Sequence, residues 1–165
     1  MRTAMPERQC IAYHEAGHAV ACLALEVPFE YVCVVPQGNA AGHAAMPSPG
    51  DSRTAVEAYV VITLAGFWAQ ALLTGTGAGD ECDLQLAKEL IARLADDPAE
   101  QKRLFSRADE RARDIAGYFL PEINVVAAEL QRRPCLTRDH VREAIPRSSL
   151  VDPSERRYSS WWTRE

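Results

Sequence analysis

The chain has 165 residues, the size of one ordinary domain and long enough to bury a core. Hydrophobic residues at 47% and charged residues at 25% suit a globular protein, and a net charge of −5 argues against a nucleic-acid partner held by phosphate contacts. Five cysteines (Cys10, Cys22, Cys33, Cys82, Cys135) are odd in number and contain no C-x-x-C pair, which suits free thiols in a reducing compartment better than a disulfide framework.

In chain order, MRTAMPERQC has no apolar h-region, so no signal peptide is visible and a cytoplasmic protein is expected. Pro6 and Glu7 suit the first turn of a helix running to about Glu26, with Ile11, Val20, Leu23 and Ala24 as core candidates and Pro28 ending it. Phe29 to Pro36 is β-branched and aromatic and reads as a strand. QGNAAGHAAM reads as a turn and a second short strand, together a hairpin, and PSPGDS is a loop. Asp51 or Ser52 can cap a helix to about Thr74, apolar on most sides and therefore central. Its uncharged stretch, Ala58 to Leu73, is short for a membrane span and broken by Thr63 and Gln70, so no membrane insertion is expected.

After the flexible break GTGAG, Asp80 or Glu81 opens a third helix that DDP stops. A charged helix follows from about Ala99 to Leu120, another from Pro121 to about Arg132, and Thr137 can cap a last one. KRLFSRADERARD reads as a solvated helix face with i,i+4 ion pairs or an oligomer contact. His140 reads as a surface residue. The expected architecture is a compact, mainly α domain over residues 1–147 with a small β element. A polar tail follows at 148–165, expected to be partly disordered, with Tyr158, Trp161 and Trp162 as docking candidates.

The chemistry concentrates in AYHEAGHAVA, residues 12–21. Residues four apart share a helix face, with Cβ atoms about 5–6 Å apart. His14 and His18 can therefore aim both imidazoles at one ion, and zinc takes such nitrogen ligands. Glu15 is rotated off that face and suits a general base acting on a water, the H-E-x-x-H arrangement. Small residues surround the motif, and Gly17, which costs a helix about 1 kcal/mol relative to alanine, implies close packing over it.

A catalytic zinc needs a third protein ligand and an open position. The continuation AVACLALEVP holds no histidine, so the third ligand comes from elsewhere. Asp83, Asp80, Glu81, Glu57 and His43 are the candidates.

YHEAGHAVA resembles the signature helix of FtsH-type zinc metallopeptidases. YVCVVPQGNAAGHAAM is similar to that family's strand, turn and P-R-G-x-A-L-G-Y segment. VITLAGFWAQALLTGTGAGDECDLQLAKELIARL is similar to its L-x-G-G-R-x-A-E-E helix, loop and N-D-L-x-x-A-T helix, with order and spacing agreeing over about residues 9 to 145. The resemblance implies a compact helical zinc-peptidase fold and makes Asp83 the third ligand beside His14 and His18, with Glu15 catalytic. Near a helix start, that carboxylate also gains from the helix dipole.

The departures are specific. Cys82 stands where the family has asparagine, and the loop is about two residues longer, so Asp80 competes. The family's paired glutamates fall on Gln70 and Ala71, its G-G-R on Ala65, Gly66 and Phe67, and its hairpin tyrosine on His43. Gln70 is a candidate acceptor for a ligand histidine's N–H, and His43 is expected at a surface or groove rather than on the metal. The chain has no G-x-x-x-x-G-K-[ST] motif, and Met1 reads as an initiator, so a stand-alone peptidase is expected. Its partners would be polypeptide substrate and either further copies of itself or a separate ATPase. The competing expectation is a catalytically weak or inactive relative that binds peptides or a partner protein.

Overall fold

The computed structural model describes residues 6–38, 41–75, 77 and 81–146. Helix α1 spans Glu7–Ala24 and follows Pro6, whose φ of −56° leads into the first turn. It ends earlier than the sequence suggests. Glu26 turns left-handed (φ 57°), and the Glu26 and Val27 N–H groups donate back to the Leu23 and Cys22 carbonyls. That is a Schellman stop with glutamate in the position glycine usually takes.

Strand β1 (Tyr31–Cys33) and strand β2 (His43–Ala45) form the expected hairpin. A third strand, β3 (Cys135–Thr137), was not expected, and it pairs antiparallel on the other side of β1, giving the order β2-β1-β3. One register row is His43, Cys33 and Cys135; the next is Ala44, Val32 and Leu136, of which Val32 and Leu136 are fully buried. The expectation of five free thiols is corrected here. Cys33 and Cys135 face each other across β1 and β3 with Cα atoms 4.1 Å apart and form a disulfide. Cys10, Cys22 and Cys82 are free.

Helix α2 (Arg53–Thr74) follows Ser52 and stops at Gly75, whose φ of 77° lets its N–H reach the Ala71 carbonyl. At 22 residues the whole helix is long and apolar enough to cross a membrane by length and composition, although its uncharged stretch is shorter. Its most apolar window is 67% buried within the fold, as a central helix requires. Helices α3 (Glu81–Ala92), α4 (Pro98–Tyr118) and α5 (Leu120–Arg132) follow. Asp97 caps α4 by accepting the Glu100 N–H. Thr137 caps helix α6 (Arg138–Ala144) in a capping box with His140, which gives that histidine a structural task.

Helix α2 is the hub. It packs on α1, α3 and α4, while α5 covers the other side of α1. The core joins Val20, Ile62, Ile115, Ile123, Leu130 and Leu136, all essentially inaccessible. The charged run on α4 is not wholly solvated: Trp68 of α2 donates its indole N–H to Asp109 at 2.8 Å, and the Arg113 guanidinium lies over the same ring. The tail at 148–165 and its aromatic residues lie outside the described residues, as does Asp80.

Candidate metal centre

The centre lies where α1 crosses α2, with the start of α3 closing over it. The crossing is tight because both helices carry glycine there. A Cβ on Gly17 would fall 2.6 Å from the Ala69 Cβ, 2.7 Å from the Ala65 carbonyl oxygen and 3.0 Å from the Gly66 Cα. A Cβ on Gly66 would fall 2.6 Å from His18 Cε1 and Nε2 and 2.9 Å from His14 Nε2. Gly66 is thus the floor on which both imidazoles rest.

His14 and His18 sit one turn apart with ring centroids 4.7 Å apart, edge to face. His18 Nδ1 donates to the Ile62 carbonyl at 2.8 Å, which fixes the tautomer and leaves Nε2 for the centre. A backbone oxygen thus orients His18, and Gln70 lies buried on the same helix. Asp83, in the first turn of α3, brings Oδ2 to 2.7 Å from His14 Nε2 and 3.2 Å from His18 Nε2. Among the described residues this is the one group of three His, Cys, Asp or Glu side chains whose ligand atoms all lie within 4.8 Å of one another. Of the other candidate ligands, Glu57 pairs with Arg53, Glu81 is exposed and His43 stacks edge-on against Tyr31.

The electrostatics follow from burial. Burial alone would depress the His18 pKa, but Asp83, Glu15 and the Ile62 carbonyl overcome it and raise it to about 9. Burial would raise the Asp83 carboxyl, yet His18 and His14 hold it well below the usual carboxylate range. Glu15, only 4% exposed, is pushed up by burial, pulled down by the two histidines and pushed up again by Asp83. Its Oε2 is buried and makes no hydrogen bond. The strand end at Gly42 presses on the same carboxylate, for a Cβ there would lie 2.5 Å from Glu15 Oε1.

These residues fit a zinc ion. Two imidazole nitrogens and one carboxylate oxygen form a catalytic donor set, and ligands on tetrahedral zinc stand about 3.3 Å apart, close to the spacing of His18 and Asp83. The bare floor at Gly66 leaves room at both ring nitrogens, and the orphaned Glu15 oxygen lies buried beside them. Two glycines escaped the sequence reading as site residues, Gly66 and Gly42. The available signal for the first was an isolated glycine inside a long apolar helix, which usually has a packing reason.

The model of peptidase family M41 matches residues 1–97. An ATP-dependent zinc metalloprotease FtsH 1 from Salinibacter ruber is 34% identical over 156 residues, 87% of this chain and 22% of that protein. FtsH from Magnetococcus marinus is 35% identical over 97 residues, 53% of this chain and 14% of its own length. A YME1 homolog from Caenorhabditis elegans, also an ATP-dependent zinc metalloprotease, is 35% identical over 94 residues, 50% of this chain and 13% of its own. The chain thus spans between 13% and 22% of the length of these three relatives.

Proposed function

The chain belongs to peptidase family M41, and from that membership and the geometry of the centre we propose that it is a zinc-dependent metalloendopeptidase cleaving unfolded or flexible polypeptides. The observation that carries the reading is the convergence of His14, His18 and Asp83 beside a buried carboxylate with a free oxygen. His14 Nε2, His18 Nε2 and an Asp83 oxygen would hold the metal. When bound, zinc supplies Lewis acidity, lowering the pKa of a water to about 7 and polarising a carbonyl.

The remaining work falls to the chain's own groups. Glu15 takes a proton from the attacking water and returns it to the departing amine. Burial raises its pKa, which favours a carboxylate that takes up a proton and then releases it. The Ile62 carbonyl keeps His18 in one tautomer throughout. Substrate binding by edge pairing is narrowed by the sheet order. Strand β1 is covered on both sides, whereas among the described residues no strand pairs with the outer edge of β2, which begins next to Gly42, close to Glu15. An extended peptide adding to β2 would run beside the general base.

The test is Glu15→Gln, assayed on casein together with zinc analysis. Wild type should carry one zinc and cleave; the variant should keep the zinc and lose on the order of 10²–10⁴-fold in rate. Zinc bound by wild type with no cleavage of any unfolded substrate would favour the second reading, a peptide-binding relative. The departure that favours that reading is Gln70–Ala71 in place of paired glutamates.

A further inference from the structure

A second chemical group lies one strand away from the centre. Cys33 and Cys135 occupy directly opposed positions on β1 and β3 and are joined by a disulfide spanning 102 residues. Cys33 is buried, but Cys135 is exposed and open to a small thiol. The same register row continues across β1 to His43 on β2. The His43 ring meets Tyr31 edge-on, but its Nδ1 is buried and makes no hydrogen bond, so an imidazole nitrogen without a hydrogen-bond partner belongs to the residue in register with the buried Cys33.

The row ends one residue from Gly42. His43 is preceded by Gly42, which lies close enough to the Glu15 carboxylate that an added Cβ would fall 2.5 Å from its Oε1. Each strand has only three residues, and among the described residues β1 is the one strand that pairs with β2. Ladders this short are marginal without support. The covalent bond anchors β1 to the segment entering α6, and through β1 it steadies β2.

We infer that Cys33 and Cys135 form a reversible thiol–disulfide clasp, opened by small-molecule thiols, that sets how firmly β2 is held against Glu15. In the opening step a small thiolate attacks the exposed Cys135 sulfur. The Cys33–Cys135 bond breaks, and Cys33 leaves as a thiolate that takes up a proton, for which His43 is the group in register. A second small thiolate attacks the outer sulfur of the mixed disulfide and releases Cys135. Two electrons pass from two small thiols to the protein, and the thiols leave as their own disulfide.

The experiment holds metal-free wild-type protein in glutathione buffers of graded reduced-to-oxidised ratio. Free thiols are alkylated and mapped by mass spectrometry, and amide hydrogen exchange is followed in residues 41–45. Cys33 and Cys135 should convert together, and exchange in 41–45 should rise on the order of tenfold on reduction. Cys135→Ser in oxidising buffer should reproduce the fast exchange, and Cys10→Ser should not. Three results would overturn the inference: Cys33 alkylated at every ratio, the pair still oxidised in excess dithiothreitol, or conversion with exchange in 41–45 unchanged. If Cys135→Ser fails to fold by circular dichroism, the wild-type series alone still decides.

Discussion

Gly66→Ala separates the metal centre from the fold. The added Cβ would meet the His18 ring at 2.6 Å and His14 Nε2 at 2.9 Å. Unbonded heavy atoms rest about 3.5–4.0 Å apart, so the His18 ring must retreat by about 1 Å. Overpacking of this kind costs about 1–3 kcal/mol. Replacing glycine by alanine inside a helix returns about 1 kcal/mol. The net loss of stability in metal-free protein is therefore small, about 0–2 kcal/mol by those two figures. Metal binding should suffer far more, because ligand positions tolerate only about ±0.2 Å, and affinity should fall at least about 100-fold. Competition against a chromophoric zinc chelator measures the second quantity, and chelator-treated thermal melts measure the first. Gly17→Ala should behave in the opposite sense, because its Cβ strikes the α2 backbone and forces the helices apart. A Gly66→Ala protein with wild-type zinc affinity would refute the placement of both imidazoles over that glycine.

The remaining predictions are independent of this one. Asp83→Ala should lower zinc affinity at least about 100-fold, because it removes a ligand rather than a supporting partner, and the same chelator competition reads it. Metal-free protein should lose stability as pH rises from 6.5 through about 9. The His18 pKa is raised on folding from 6.5 to about 9, so its contribution is complete below 6.5 and vanishes above the folded value. Denaturant titrations at fixed pH should show a fall of at most about 3 kcal/mol over that interval. Zinc uptake should strengthen over the same range, since the metal competes with the proton on His18. Gly117→Ala, exposed in α4 with nothing within 4 Å of the new Cβ, should raise stability by about 0.5–1 kcal/mol in the same titrations.

The helices were readable because their ends are chemically marked. Pro6 and Thr137 each start one, through a fixed φ or a side-chain cap, and Gly75 stops one; DDP, read as the stop of the third helix, also starts α4 through the Asp97 cap and Pro98. The pair His14 and His18 was readable because four-residue spacing is a local property of a helix. Asp83 was reachable through the resemblance, since 69 residues separate it from His14 and no local pattern links them. Strand β3 was missed because its three residues, Cys135 to Thr137, directly after Pro134 and ending on the helix cap, are too few to show an alternation. The Cys33–Cys135 bond was missed for the same reason: its register exists only after β3 has paired. The Ile62 carbonyl was invisible because a backbone oxygen has no letter of its own. Trp68 with Asp109 and Arg113 shows how a charged run can conceal a packed contact.

The way α4 and α5 wrap the first two helices bears on what an excised fragment would do. The family match ends at residue 97, but the shell around α1 and α2 does not. A piece cut at that point would keep His14, Glu15, His18 and Asp83, yet it would bare the sides of α1 and α2 that α5 and α4 now cover. Leu104, Ile115, Ile123 and Val126 would be gone from around them. Such a fragment would carry every ligand and still fall into insoluble aggregate, its chemistry intact on paper and homeless in water.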